Sequence, residues 1–191
     1  MKNGKDQLRR KFLLLRKKNY KLKKKINFSL IFNLINNTFL NKKINIAAYF
    51  PTNYEANILS FINEAAKKNF NIVLPVVKPK NNMIFRLWKP TDPLTINRFG
   101  IPEPMKTNKK LTPDLILVPM VAFDKKLNRI GYGGGFYDRS LKKIKKIKNK
   151  SIALGIAYSF QQCGIIPINK NDFKLDYILT ERGIVSLKES K

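Results

Sequence analysis

Nine residues in a row, Leu115 to Phe123, carry no polar side chain. A strand with one face in water alternates polar and apolar positions, whereas an unbroken apolar run needs cover on both faces, as inside a parallel sheet sandwiched by helices. Asp114 precedes the run. A glycine-rich segment follows it, and after that an amphipathic pattern from Phe136 to Lys148 with Leu141, Ile144 and Ile147 on one side and lysines on the rest. The local reading is strand, turn, helix.

The same alternation extends along the chain. Lys5 to Asn19 reads as a helix with an apolar stripe of Leu8, Phe12 and Leu15, and Lys5 and Arg9, four apart, share a face. A second helix covers Phe28 to Leu40. Ile44 to Phe50 is a strand closed by Pro51; Thr52-Asn53-Tyr54-Glu55 then leads into a helix from about Ala56 to Lys68. Phe70 to Val77 is a strand that Pro75 would bend or confine to an edge. Met83 to Trp88 is another, followed by a long proline-rich connection through Pro104 that cannot be helical. Trp88, Phe85 and Phe99 offer rings for stacking or for core packing. Ser151 to Ser159 and Tyr177 to Thr180 are the last clear strands, with Ile184 to Leu187 as an extension. With no repeat and no linker, residues 1–191 read as a single α/β domain with a mostly parallel or mixed sheet flanked by helices.

Four of the nine glycines fall at 131, 133, 134 and 135, inside Arg129-Ile-Gly-Tyr-Gly-Gly-Gly-Phe-Tyr-Asp138. A glycine-rich turn feeding a helix aims backbone N–H groups at one spot beside the positive end of the helix dipole, which suits phosphate. Arg129 adds a cation and Asp138 a hard oxygen ligand. The segment is not a P-loop, because Gly135 is followed by Phe136 and Tyr137 rather than Lys-Ser/Thr. Nor is it the dinucleotide fingerprint, whose third glycine would fall on Phe136. Glu55, at the carboxyl end of a strand, lies where open α/β sheets bind ligands; the plainer reading is an acid favoured by a helix start. Asp172 and Asp176 share a late loop, in a chain with 12 acids against 39 cations.

Composition removes several chemistries. There is no histidine and one cysteine, Cys163, so Ser-His-Asp and Cys-His catalysis, the usual zinc sites and an internal disulfide are excluded. No segment is long and apolar enough to span a bilayer, and the N-terminus lacks a signal-peptide pattern, so a cytoplasmic protein is expected. The net charge of +27 raises the possibility of a nucleic-acid binder. The lysines are spread along helices and loops instead of forming one basic arm with interleaved aromatics, so no specific nucleic-acid partner is expected.

The order of these motifs resembles the 5-formyltetrahydrofolate cyclo-ligase family, also called methenyltetrahydrofolate synthetase. The resemblance rests on Arg129 to Arg139, on Leu117 to Asp124 before it, on Lys5-x-x-x-Arg9, on Tyr49-Phe50-x-x-x-x-Glu55, on Gly100-Ile-Pro-Glu-Pro104 and on Asn171 to Asp176. It implies a Rossmann-like sheet and an ATP- and magnesium-dependent ligase. Such an enzyme converts 5-formyltetrahydrofolate to 5,10-methenyltetrahydrofolate, with release of ADP and phosphate, through a phosphorylated formyl intermediate. Carried over by position, ATP would meet Lys5, Asp6, Gln7, Leu8 and Arg9, together with Arg129, Ile130, Gly131, Tyr132, Gly133, Gly134, Gly135, Phe136 and Tyr137. The reduced folate would lie against Phe50, Glu55, Tyr132, Gly133, Gly134, Gly135 and Phe136. Arg129, Tyr137 and Asp138 would serve catalysis, and Asp138 with Asp172, or else Asp176, would hold Mg2+. A monomer is expected. The rival expectations are a basic nucleic-acid-binding protein and a folate-binding protein without catalysis.

Overall fold

The computed structural model describes residues 2–22, 25–40, 42–79 and 82–187. The first five residues of the apolar run form strand β6 (Leu115–Pro119), which stops short of the expected end at Phe123, and its alternate residues part to opposite faces of the sheet. Leu115 and Leu117 join a cluster with Ile31, Phe32 and Ile35 of helix α2 (Ser29–Phe39) and Phe61, Ile62 and Ala65 of helix α3 (Leu59–Lys67). Ile116 and Val118 join a second cluster with Leu141 and Ile144 of helix α4 (Phe136–Ile147). Each fully buried Leu or Ile contributes about 1.5–3 kcal/mol, so the two-sided burial of β6 makes it the central plank of the fold.

β6 pairs in parallel with β1 (Asn45–Ala47) on one side and β9 (Ile152–Ile156) on the other. β1 is parallel to β2 (Asn71–Lys78), and β9 to β10 (Tyr177–Thr180). Antiparallel strands close both edges, β3 (Asn82–Leu87) on β2 and β11 (Gly183–Val185) on β10. The seven-stranded order is β11-β10-β9-β6-β1-β2-β3. The chain leaves β1 in one direction to β2, and returns to the other flank of β1 to lay down β6, β9 and β10. The order therefore reverses between β1 and β6, and the crevice outside their carboxyl ends is the switch point where such sheets take ligands.

β2 runs unbroken through Pro75 and lies between β1 and β3, not on an outer edge. Odd-numbered residues of β2 turn their backbone groups toward β1, as the bond from Ala48 N to Val73 O shows, but the β1 pairing ends at Val73. The missing N–H of Pro75 thus faces the half-edge that β1 has vacated, and the next inward-facing donor, Val77 N, is met by Glu103 Oε1 at 2.8 Å. The proline-rich connection also differs from the expected long loop. It folds into a small hairpin, β4 (Leu94–Ile96) with β5 (Pro102–Pro104), turning through residues 97–100 with Gly100 at φ 74°.

Helix α1 (Lys2–Asn19) lies across the carboxyl end of the sheet, against the short hairpin of β7 (Ala122–Phe123) and β8 (Arg129–Ile130). Phe12 is buried there with Val121, Ala122, Ile130 and Ile166. Lys5, Arg9, Phe12 and Arg16 follow one another at spacings of four, three and four, so the face that packs on the sheet also carries three cations to the crevice.

Candidate functional site

The glycine-rich segment occupies the gap between β8 and α4. Gly133 (φ 102°) and Gly135 (φ 66°) hold backbone conformations that a side chain would strain, and Gly135 is the residue that opens α4, with no side-chain cap closing its N-terminus. The first-turn N–H groups of α4 are left for an acceptor from outside. Arg9 lies along this segment: its Nε donates to Gly131 O at 2.8 Å, and a Cβ on Gly133 would stand 3.5 Å from its Cζ. Its Nη1 pairs with Asp6. Lys5, one turn earlier, pairs with Asp172. The expected meeting of the Lys5–Arg9 face with the glycine-rich segment is therefore present in the geometry, with Asp172 brought in by Lys5.

Arg129 and Asp138 form a buried clasp. Arg129 Nη2 is 2.8 Å from Asp138 Oδ1 and its Nη1 donates to Phe173 O at 2.7 Å, while Asp138 Oδ1 also accepts from Phe173 N at 3.0 Å. Both residues thereby fix the loop that bears Asp172. Oδ2 of Asp138 and Oδ1 of Asp172 carry no protein hydrogen bond among the described residues. Asp176 is elsewhere: it accepts from Ala153 N at 2.7 Å and pairs with Lys145 at 3.3 Å, at the amino end of the sheet, opposite the crevice. Among the described residues no three His, Cys, Asp or Glu side chains gather into a protein-only metal cage. Mg2+ does not require one, since it binds through one or two carboxylates, waters and substrate phosphates, and the two unused oxygens suit that mode.

Glu55 lies on the other bank of the crevice, after β1. It is 6% exposed and sits in a tight turn: Glu55 N donates to Thr52 O at 2.9 Å, and Glu55 Oε2 accepts from Thr52 N at 2.8 Å. The two central residues, Asn53 (φ 46°) and Tyr54 (φ 62°), are both left-handed, an uncommon conformation for a tyrosine and one that persists only where the surroundings hold it. α3 begins at Leu59, so Glu55 belongs to this turn and not to a helix start. Burial pushes the Glu55 carboxyl up from its ordinary value, against the opposing pull of the Thr52 N–H, the Arg16 charge and a hydrogen bond with Tyr132.

Tyr132 turns its hydroxyl inward although much of its ring is exposed. Burial of that hydroxyl, and next the charge of Glu55, push it up to about 12. Burial also raises Tyr137, with Glu55 adding to the shift and Arg129 opposing it, so the Tyr137 hydroxyl keeps its proton and can act as a donor. Phe50 is half-buried just before the Glu55 turn.

Sequence reasoning missed two participants. Arg16 is the largest fully buried side chain, 1% exposed, at the switch point between β1 and β6. Its only sequence signal is its place on the stripe begun by Lys5 and Arg9, and the basic run with Lys17 and Lys18 hides it. The second is Phe99, singled out with Trp88 and Phe85 but not placed at the site. Trp88 and Phe85 are core residues, whereas Phe99 is half exposed at the tip of the β4–β5 hairpin and meets Phe136 edge-to-face at 5.9 Å.

Fold and crevice define a class: an α/β protein with a basic, tyrosine-lined cleft at the switch point of its sheet. The particular family follows from comparison with known proteins. The 5-formyltetrahydrofolate cyclo-ligase family model matches residues 1–181. The chain is 40% identical over 142 residues to the 5-formyltetrahydrofolate cyclo-ligase of Haemophilus influenzae, covering 71% of this chain and 74% of that protein. It is 32% identical over 145 residues to a probable 5-formyltetrahydrofolate cyclo-ligase of Schizosaccharomyces pombe, covering 69% and 71%. Among solved structures, the Aquifex aeolicus 5,10-methenyltetrahydrofolate synthetase superposes with a TM-score of 0.76 at 30% identity, over 98% of this chain and 94% of that one. The chain belongs to the 5-formyltetrahydrofolate cyclo-ligase family, a family of ligases. The resemblance drawn from its motifs and the expected α/β sheet both hold.

Proposed function

We propose that this chain catalyses the ATP- and magnesium-dependent cyclisation of 5-formyltetrahydrofolate to 5,10-methenyltetrahydrofolate, with release of ADP and phosphate. The observation that carries the reading is the convergence, at one switch point, of a basic glycine-rich half (Lys5, Arg9, Gly131 to Gly135) and a carboxylate half (Glu55).

The basic half suits a triphosphate. Lys5, Arg9 and Arg129 supply positive charge, and the uncapped first turn of α4 supplies N–H donors. The carboxylate half suits the polar edge of a pterin, whose N–H groups Glu55 would accept, while Phe50 and Phe136 offer apolar cover. In the reaction the formyl oxygen attacks the γ-phosphorus and ADP leaves. N10 then adds to the activated carbon, and the C–O bond breaks with loss of phosphate and of the N10 proton. A formyl oxygen is a poor leaving group and a phosphoryl oxygen a good one, so the residues need mainly to align the two substrates and balance charge. Arg129, held by Asp138, would stabilise charge on the transferring phosphoryl group, and Tyr137 would donate a hydrogen bond between the halves. Asp138 Oδ2 and Asp172 Oδ1 would hold magnesium directly or through water, and the ion bound with ATP would supply neutralising charge to the triphosphate.

The test is near-ultraviolet absorbance of the methenyl product on mixing protein, 5-formyltetrahydrofolate, ATP and magnesium. Growth of the band only with ATP and magnesium present is the expected result. A folded protein that binds the folate without forming the band would leave a binding protein instead. Neither binding nor turnover, with tight and steeply salt-dependent RNA binding, would favour the nucleic-acid reading.

A further inference from the structure

Arg16 spans the two strands that flank the switch point. Its Nη1 donates to Met120 O at 3.1 Å, in the segment that leaves β6, and its Nη2 donates to Asn53 O, in the strained turn that leaves β1. Nη2 also meets the Tyr132 hydroxyl at 2.5 Å, and the guanidinium lies 5.5 Å from the Tyr132 ring centre. Met120 O is shared with Gln161 Nε2, which also holds Val121 O, so this anchor is fixed from the far side. Three loops from three parts of the chain therefore converge on one buried guanidinium. Its Nε has no partner, a cost that purely structural packing has little reason to carry and that buried functional groups often do.

We propose that Arg16 is a positioning residue for the folate half of the crevice: it pins the Asn53–Tyr54 turn and the Tyr132 hydroxyl to the end of β6, and so holds the Glu55 carboxylate in its binding orientation. The proposal rests on the placement of folate at Glu55. The groups that face this carboxylate are Arg16 from α1, Tyr132 from the glycine-rich segment, Tyr49 from the segment after β1 and Tyr137 from α4. The charge of Arg16 is felt at Glu55 and opposes the effect of its burial. It reaches the glycine-rich half only through Tyr132 and makes no hydrogen bond to Lys5, Arg9 or Gly131, so its removal should weigh more on the folate than on ATP.

The experiment compares wild type with Arg16→Met and Arg16→Lys. KM is measured for 5-formyltetrahydrofolate and for ATP, calorimetry measures binding of 5-formyltetrahydrofolate alone, and hydrogen exchange is followed at residues 52–55. Displacing a group by about 1 Å can cost about a hundredfold, so the folate KM and Kd in Arg16→Met should rise about tenfold to a hundredfold. The ATP KM should rise several-fold less than the folate KM, because Arg16 reaches the glycine-rich half only through Tyr132. Exchange in the 52–55 turn should speed up, and Arg16→Lys, which can reach one carbonyl but not all three partners, should fall between. Equal rises in both KM values, or an unmoved folate KM with intact wild-type turnover, would overturn the role of Arg16. If Arg16→Met does not fold, Arg16→Lys alone decides, by the same split between folate and ATP. A wild-type protein that neither binds nor turns over the folate would instead bring down the functional reading beneath the proposal.

Discussion

Glu55 concentrates the conflict between stability and function. Its folded-state pKa is raised by burial, so the stability it contributes is present below its unfolded-state pKa and is lost as the pH rises through the folded value. Once ionised, the buried carboxylate therefore weakens the fold while providing the acceptor that a pterin would need. Glu55→Gln keeps an oxygen for Thr52 N and removes the charge. The unfolding temperature of this variant at neutral pH should lie at or above that of wild type, with the difference shrinking as the pH falls, while the folate KM rises at least about tenfold through loss of a charged hydrogen-bond acceptor. Thermal unfolding at several pH values with parallel kinetics checks both; a destabilised variant with an unchanged folate KM would exclude the assignment. Asp138 makes the complementary case. Asp138→Asn retains an acceptor for Phe173 N but no longer balances Arg129, whose side chain is 4% exposed. Turnover should fall by about 10²–10³. The protein should remain folded at a cost of about 1–3 kcal/mol, the range for a weakened buried hydrogen bond. Unchanged turnover would remove Asp138 from the catalytic set.

Among the elements, the β4–β5 hairpin shows what local sequence conceals. Pro102 and Pro104 have no N–H to offer a ladder, and the two strands are three residues each, so nothing in composition or alternation announces them. Their position is set from outside: Glu103, 8% exposed, accepts from Val77 N of β2 and from Asn97 Nδ2 across the hairpin turn. β6, by contrast, was legible from its own residues, because two-sided burial leaves a pattern that needs no partner to be read. The glycine-rich segment, Glu55 and the Lys5–Arg9 pair were legible as types of residue at suggestive places. Arg16 and Phe99 were not, because each acquires its role only from a tertiary neighbour. Phe99 tests the hairpin directly. Its edge-to-face contact with Phe136 couples the hairpin tip to the start of α4. Phe99→Ala should cost about 0.5–1.5 kcal/mol in stability, the range for such an aromatic pair. A rise in the KM of at least one substrate of about threefold or more is expected if the hairpin helps to order the glycine-rich segment. Unaltered kinetics would leave the hairpin as a cover for the β2 edge and nothing more.

At the level of the whole molecule, the charge of +27 has to be reconciled with a crevice that uses only a few cations. Many lysines serve as ties. On α4, Lys142 donates to Lys170 O at 2.7 Å, Lys145 pairs with Asp176 at the foot of β10, and Lys148 pairs with Asp114 at 2.8 Å just before β6. The helix that a sequence reading would paint as a basic surface is thus partly fastened to the amino end of the sheet, away from the ligand crevice. The remaining charge acts through its field. Both proposed substrates are anions, and a protein of one dominant sign attracts them from beyond contact, an effect screened over a Debye length of about 10 Å at 0.1 M salt. Raising the salt concentration from about 50 to 500 mM should therefore raise KM for ATP and for the folate several-fold, with kcat changing by less than about twofold, because the bound groups in a half-buried crevice are screened far less than the approach to it. ATP carries more charge than the folate, so its KM should climb more steeply. Kinetics over that range, with magnesium held in excess, decide the matter. If KM stays flat for both substrates, the field of the lysines has no part in substrate capture, and their number must be explained without reference to the reaction.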